Sequence, residues 1–348
     1  MGGDKPVVVQ TMWKDRLSSA DLDDAASKIQ SLQALGCGIL RFAAPDIESA
    51  EVLGRLSQMV SMPLCADIHF DYKIALRCMD FPISKIRINP GNIGGKDKVC
   101  AVLEKAAKNG VPIRIGVNEG SLPLDLREKA ENGGISVPEA LVQAAEREIS
   151  IFEEFGFNDY LVSMKAGRVA DNINANKMFR LRAPAVLLHA GVTEAGPLTA
   201  GVVKNAAALF TLLAEGIGDT IRVSLSDTME NEVIAGREII AAAAQLAAGN
   251  IKLKSRGVNI VSCPRCGRHG FDTHGFTSRW LQRLYALDKD ITVAIMGCEV
   301  NGPAEAKHAD LGITGAGDKV LIFKHGNVIK TITAAEADAV FEEELKNL

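Results

Sequence analysis

The stretch Leu64–Asn89 reads LCADIHFDYKIALRCMDFPISKIRIN, and its texture decides the fold. Two short runs, Leu64–Asp67 and Lys85–Ile88, have the length and apolar character of buried strands. Between them, Tyr72–Met79 returns apolar residues at Ile74, Ala75, Cys78 and Met79, the spacing of a helix face. Strand, helix and strand in so few residues make a βαβ unit whose two strands pair in parallel through a right-handed crossover. Each strand also runs out into groups that can bind or titrate: Asp67 then His69, and Arg87 then Asn89.

The same alternation extends in both directions. Further strands are predicted at Val7–Gln10, Ile39–Phe42, Pro112–Gly116, Asp159–Ser163, Ala185–His189 and Thr220–Ser224. Helical patterns separate them at Asp21–Leu35, Glu48–Met59, Asp97–Asn109, Pro138–Phe155, Asn172–Leu181 and Val202–Glu215, and Glu232–Ala248 follows the last. Eight β-α units within residues 1–250 match a closed (β/α)8 TIM barrel, which typically takes about 250 residues. An open doubly wound sheet is the alternative. It is weakened because Gln10-Thr11-Met12-Trp13 follows the first strand in place of a glycine-rich dinucleotide turn. The charged, glycine-rich stretch Glu119–Val137 is predicted to be a flap or insertion over the mouth.

Residues 257–348 have a different texture, that of a small α+β domain. Strands are predicted at Val258–Ser262, Thr292–Met296, Val320–Phe323 and Val328–Thr331, the last two joined by a turn at His325-Gly326-Asn327, with helices at Ser278–Leu287 and Glu336–Leu345.

Bulk properties bound the function. With 47% hydrophobic and 24% charged residues the chain can bury a large core. Lys+Arg 39 against Asp+Glu 43 leaves a net charge of −4, so no global basic field draws it to nucleic acid or anionic lipid, and any anion site must be local. No apolar run is long enough to span a membrane and no leader pattern precedes the first strand, so the expected location is the cytoplasm. Seven cysteines, an odd number, do not read as a secreted disulfide framework. Cys37, Cys65, Cys78 and Cys100 show no ligand spacing and read as small buried hydrophobes.

In barrel enzymes the catalytic face is built at the carboxyl ends of the strands. Here those ends carry Gln10, Arg41, Asp67 with His69, Arg87 with Asn89, Arg114 with Asn118, Lys165, His189 with Thr193 and Glu194, and Arg222 with Ser224. Arginines and a lysine converging on one opening repel each other unless they share an anion, and the guanidinium fork matches phosphate oxygens two at a time. A phosphate-bearing ligand is therefore expected. Asp67, His69, His189 and Glu194 remain for positioning and proton transfer.

The second domain holds Cys263-Pro264-Arg265-Cys266 just after one predicted strand and Cys298 just after another, with Glu305 seven residues further on. Three thiolates and an exchangeable carboxylate suit an iron–sulfur cluster with one open corner. Zinc closed by three cysteines and His269, His274 or His308 fits the spacing equally, and would make the protein a phosphate-binding barrel lyase or transferase with a structural zinc domain.

Seven blocks give the chain a family resemblance: ADIHFDYKIAL (66–76), KIRINPGNIG (85–94), PIRIGVNEGSL (112–122), GVTEAG (191–196), EGIGDTIRVSL (215–225), SRGVNIVSCPRC (255–266) and GCEVNGPAEAKHADLGITG (297–315). With them the chain resembles the bacterial 4-hydroxy-3-methylbut-2-enyl diphosphate synthases of the methylerythritol phosphate route to isoprenoids. The resemblance implies a [4Fe–4S] cluster on Cys263, Cys266, Cys298 and Glu305, fed singly with electrons by a ferredoxin or flavodoxin. It implies 2-C-methyl-D-erythritol 2,4-cyclodiphosphate as substrate, held by Arg41, Arg87, Asn89, Arg114, Asn118, Lys165, His189 and Ser224, with Glu194 as acid or base and Asn301 beside the cluster. Asp67, His69 and Arg222 join the expected substrate site through their strand-end positions. Ala304 stands where the family pattern has glycine, a departure that would strain the loop if the position needs positive φ.

A homodimer is expected as well. The helix predicted at Glu232–Ala248 carries the chain roughly 25 Å back from the catalytic face, so the sulfur domain reaches a neighbouring copy's mouth more easily than its own.

Overall fold

Parallel strands with apolar residues on both faces need cover on both sides, and the chain supplies it by closing the sheet on itself inside a ring of helices. The structure is a computed structural model that describes residues 2–247, 249–253, 257–299 and 302–348. In the first unit the order is β1 Val8–Met12, α1 Leu22–Ala34, β2 Ile39–Ala43, α2 Ile47–Met59, β3 Leu64–Asp67, α3 Tyr72–Cys78, β4 Lys85–Ile88, α4 Pro90–Ile93 and α5 Lys96–Asn109. It continues with β5 Ile113–Asn118, α6 Leu124–Glu131, α7 Val137–Phe155, β6 Tyr160–Lys165, α8 Val169–Arg182, β7 Leu187–Ala190, α9 Leu198–Ala214, β8 Thr220–Ile221 and α10 Met229–Leu246. β1 pairs in parallel with both β2 and β8, which closes the barrel.

Local signals explain the element ends. The Asp46 carboxylate accepts from Ser49 N at 2.7 Å to cap α2. Ser136 caps α7 in the same way through Glu139 N, and α7 stops at Gly156, which takes the left-handed conformation at φ 81°.

The segment Glu119–Val137, read as a flap or insertion, contains α6, which buries Leu126 and is tied to α7 by a two-bond contact between Arg147 and Asp125. One expectation changes. Strand β8 is shorter than predicted, although Arg222 N still donates to Ala190 O at 3.0 Å, and the Leu225 amide beyond it donates to the Glu232 carboxylate at 3.0 Å.

The chain divides into Met1–Ser255 and Arg256–Leu348. The second unit is a five-stranded sheet of order β13-β12-β11-β10-β9, made of β9 Asn259–Ser262, β10 Thr292–Met296, β11 Leu311–Ala316, β12 Lys319–Lys324 and β13 Asn327–Ile332. It also contains α11 Thr273–Tyr285, α12 Gly302–Glu305 and α13 Ala337–Lys346. Phe276 and Trp280 of α11 and Phe341 of α13 build its core, with the Trp280 and Phe341 rings edge to face at 5.0 Å. Strand β11 was not predicted. His325 and Gly326 both take positive φ, 47° and 77°, which gives the β12–β13 hairpin the twist of a two-residue turn. Among the described residues no helix is long and apolar enough to cross a membrane.

Candidate active site

Asp67, Arg87 and Arg114 occupy one register row across β3, β4 and β5. A cavity of about 200 Å³ opens at these strand ends, lined by Arg41, Asp67, His69, Arg87, Arg114, Asn118, Lys165, Arg222 and Ser224, together with Met12, Ser163 and Thr193. Ten residues predicted from strand-end position, Thr193 among them, thus meet in one space. Met12 and Ser163 were not singled out. β1 runs two residues further than predicted and so presents Met12, while Gln10 lies wholly buried below it and accepts from Lys85 Nζ at 3.3 Å.

Three predicted residues lie elsewhere. His189 is wholly buried behind the cavity wall, with Nε2 3.3 Å from Lys165 Nζ and Nδ1 2.7 Å from Thr220 Oγ1. Asn89 is buried too, and its amide donates to Ser121 Oγ at 3.3 Å, joining the loop after β4 to the loop after β5. Glu194 is exposed and sits outside the cavity lining in the left-handed region, φ 52°.

The cavity is built for an anion. Arg41, Lys85, Arg87, Arg114 and Lys165 are all buried, and Asp67 is the one carboxylate among the lining residues. It pairs with Arg87 at 3.0 Å and Arg41 at 3.5 Å, while His69 Nε2 lies 3.1 Å from Arg87 Nη1. The Nε atoms of Arg41, Arg87 and Arg222, and both Nε and Nη1 of Arg114, are buried without a hydrogen-bond partner. Buried donors left unsatisfied cost about 1–3 kcal/mol each, so the free protein stores a demand for acceptor oxygens. Backbone space has been cleared for the cations. A Cβ at Gly116 would stand 2.3 Å from Arg87 Nε, and one at Gly191 would stand 3.0 Å from Lys165 Nζ.

Crowding sets the protonation states. Burial works to raise the Asp67 pKa, but Arg41, the His69 hydrogen bond, Arg87 and Arg114 together hold it far below the usual carboxylate range. Burial, then the Arg114 charge, pushes Lys165 well down, and His189 falls for the same two reasons with Lys165 adding to them. Lys85 is pushed down to about 8 by burial, with Cys65 pulling it upward and the Arg114 and Arg41 charges adding smaller downward pushes. An incoming anion opposes these shifts, because a negative charge in the cavity favours the protonated form of every cation around it. Binding of sulfate, which does not itself titrate here, is therefore expected to take up protons at neutral pH and to weaken as pH rises through about 8 and Lys85 discharges. Calorimetry in two buffers of different protonation heat measures this. No proton uptake and a flat affinity from pH 7 to 9 would refute it.

In the second unit, β9 and β10 are parallel neighbours, so the turns that follow them leave from one edge. Cys263 N donates to Ile295 O at 2.9 Å, and Cys263 Sγ lies 3.6 Å from where a Cβ on Gly297 would stand, one residue before Cys298. Cys298 is buried, Cys263 half-buried and Cys266 exposed. Arg265, between the first two cysteines, is held in the left-handed region at φ 76° by contacts to Asp272 at 3.4 Å and His269 at 3.0 Å. Cys298 O accepts from Gly302 N, the first residue of α12, at 3.0 Å, and Glu305 at the end of α12 is exposed. Ala304 lies inside α12 and is not among the positive-φ residues, so its methyl introduces no strain there. Among the described residues no three His, Cys, Asp or Glu side chains converge closely enough to hold an ion, and Asn301 lies outside the described residues. Both ring nitrogens of His269 are engaged, one with Cys266 O at 2.7 Å and the other with Arg265, which disfavours it as a zinc ligand.

Comparison with known proteins agrees with both halves. Residues 1–237 match the GcpE TIM-barrel domain and residues 259–347 the GcpE protein C-terminal domain. A Treponema denticola protein named 4-hydroxy-3-methylbut-2-en-1-yl diphosphate synthase (flavodoxin) is 49% identical over 374 residues, covering 100% of this chain and 94% of that one. A Clostridium tetani protein of the same name is 41% identical over 348 residues, covering 100% and 96%. Among solved structures, a Xanthomonas albilineans dihydropteroate synthase is 16% identical with a TM-score of 0.48 over 70% of this chain and 94% of that one, too slight a likeness to argue from. With a closed barrel followed by a small mixed-sheet domain, and with both family domains and full-length relatives matched, the chain belongs to the GcpE family.

Proposed function

We propose that this chain reductively opens and dehydroxylates 2-C-methyl-D-erythritol 2,4-cyclodiphosphate to 4-hydroxy-3-methylbut-2-enyl diphosphate, an isoprenoid precursor, with flavodoxin or ferredoxin as electron donor. The observation that carries the reading is the set of buried guanidinium donors without hydrogen-bond partners around one small cavity, the complement of a diphosphate. Arg41, Arg87, Arg114 and Arg222 bind its oxygens, with Asn118 and Ser224 at the rim, and Asp67 and His69 fix the Arg87 fork. Lys165, backed by His189, gains its charge as the anion arrives, which places a proton at the migrating phosphate end. Glu194 on the loop after β7 serves as acid or base at the reacting carbons.

Cys263, Cys266, Cys298 and Glu305 would hold a [4Fe–4S] cluster. The donor set fits by chemistry, three soft thiolates and one replaceable carboxylate, and by the departure of both cysteine turns from one sheet edge. When bound, the cluster supplies single electrons and a Lewis-acidic iron. A homodimer is part of this reading.

The test is anaerobic purification with iron, sulfide and zinc analysis, on the native chain and on Glu305→Ala. The native protein is expected to be brown and to hold iron, and Glu305→Ala to keep part of the iron while losing turnover by about 100-fold or more. A colourless protein with tightly held zinc would favour the lyase or transferase reading, and native turnover in Glu305→Ala would remove the carboxylate from the ligand set.

A further inference from the structure

We infer that Glu232 is a positioning residue for the diphosphate end of the substrate, a buried carboxylate that sets Arg222 and the Ser224–Leu225 turn on the rim of the anion cavity, with Lys14 completing the contact from the first barrel loop. The inference rests on reading that cavity as an anion site.

An acidic residue near the start of a helix ordinarily faces solvent and gains from the helix dipole. Glu232, in the first turn of α10, is instead turned inward and is 1% exposed. A carboxylate is costly to bury unless it is fully paired, and this one is. Oε2 accepts from Thr11 Oγ1 at 2.5 Å. Oε1 accepts from Leu225 N at 3.0 Å and lies 3.0 Å from Lys14 Nζ and 3.4 Å from Arg222 Nη2. Lys14 Nζ also donates to Leu225 O at 2.8 Å and to Asp227 O. One carboxylate thus joins β1, the loop after it and the turn after β8.

The cavity shows what this accomplishes. Asp67 orients Arg41 and Arg87 from the β3 side. Arg222 comes from the far edge of the same opening, and Glu232 is its ion-pair partner. Because Leu225 directly follows Ser224, capture of the Leu225 amide also fixes the backbone that presents the Ser224 hydroxyl to the cavity. Neither group makes contact with Asp67, so the carboxylates divide the rim between them.

The experiment measures inorganic pyrophosphate binding by calorimetry, and KM and kcat separately, for native protein, Glu232→Gln and Lys14→Met. Glu232→Gln preserves shape and removes charge. It is expected to weaken pyrophosphate binding about tenfold, as befits one lost charge-assisted contact, and to raise KM with kcat changed less. Lys14→Met, at a side chain 29% exposed, is expected to weaken binding about threefold, and to add nothing in the Glu232→Gln background. Native-like binding in a folded Glu232→Gln overturns the inference. Should that variant not fold, native-like binding by Lys14→Met overturns it instead. Failure of the native protein itself to bind pyrophosphate would sink the reading of the cavity, a separate outcome.

Discussion

Replacing Arg114 by methionine is expected to abolish anion binding and, in the free protein, to raise the melting temperature. Both effects follow from one feature. Arg114 is 1% exposed, two of its nitrogens have no partner, and Arg41 and Arg87 press on it electrostatically. Methionine fills comparable space without a charge to bury, and exchanging poorly paired buried ions for apolar side chains is often stabilising by about 1–4 kcal/mol. At about 2–4 °C per kcal/mol for a domain of this size, the shift is measurable by calorimetry. Loss of a two-bond contact to phosphate at about 1.5–3 kcal/mol per bond corresponds to a 100-fold or greater weakening of pyrophosphate binding. A variant that melted lower and bound normally would show that Arg114 is structural. The trade of stability for function is the expected signature of a preformed site.

The second large effect is confined to the other unit. Cys298→Ser is expected to lose iron and turnover together, turnover by at least about 1,000-fold, while leaving pyrophosphate binding within about twofold of native. Cys298 is buried at the end of β10, beside the turn against which Cys263 Sγ rests, so a serine there cannot be replaced as a ligand by a shift of exposed chain. Iron analysis and calorimetry on the same preparation decide the matter. Undiminished iron in Cys298→Ser would remove this cysteine from the ligand set, and lost pyrophosphate binding would mean that the variant had damaged the barrel.

What the sequence disclosed followed from how strongly each signal is tied to burial. Leu64–Asp67 and Lys85–Ile88 are buried on both faces, the first standing out by its apolar residues and the second by isoleucines set between strand-end charges, and both match to the residue. Their charged members are conspicuous for the same reason: Arg87 and Arg114 have no business in a core strand unless something pairs with them. Strand β11 escaped because Gly312 and Gly315 interrupt its pattern. Both are demanded by tertiary contact, since a Cβ at Gly312 would stand 2.0 Å from the Phe323 ring and one at Gly315 would stand 2.5 Å from the Gly270 backbone. Helix α6 escaped because it buries only Leu126 and is flanked by Pro123 and Gly133-Gly134. Glu232 gave no signal at all. An acid in the first turn of a helix is unremarkable in sequence, and only the fold shows that it turns inward toward Arg222.

The most direct measurement is single-substrate turnover. Anaerobic protein carrying iron and sulfide would be given the cyclodiphosphate and chemically reduced flavodoxin, with product followed by phosphorus resonance. The expected result is conversion to 4-hydroxy-3-methylbut-2-enyl diphosphate with two flavodoxin electrons consumed per molecule, inhibited by sulfate competing for the barrel cavity. Substrate that binds the barrel of iron-loaded protein and is never reduced would contradict the union of cationic cavity and sulfur site in one reaction.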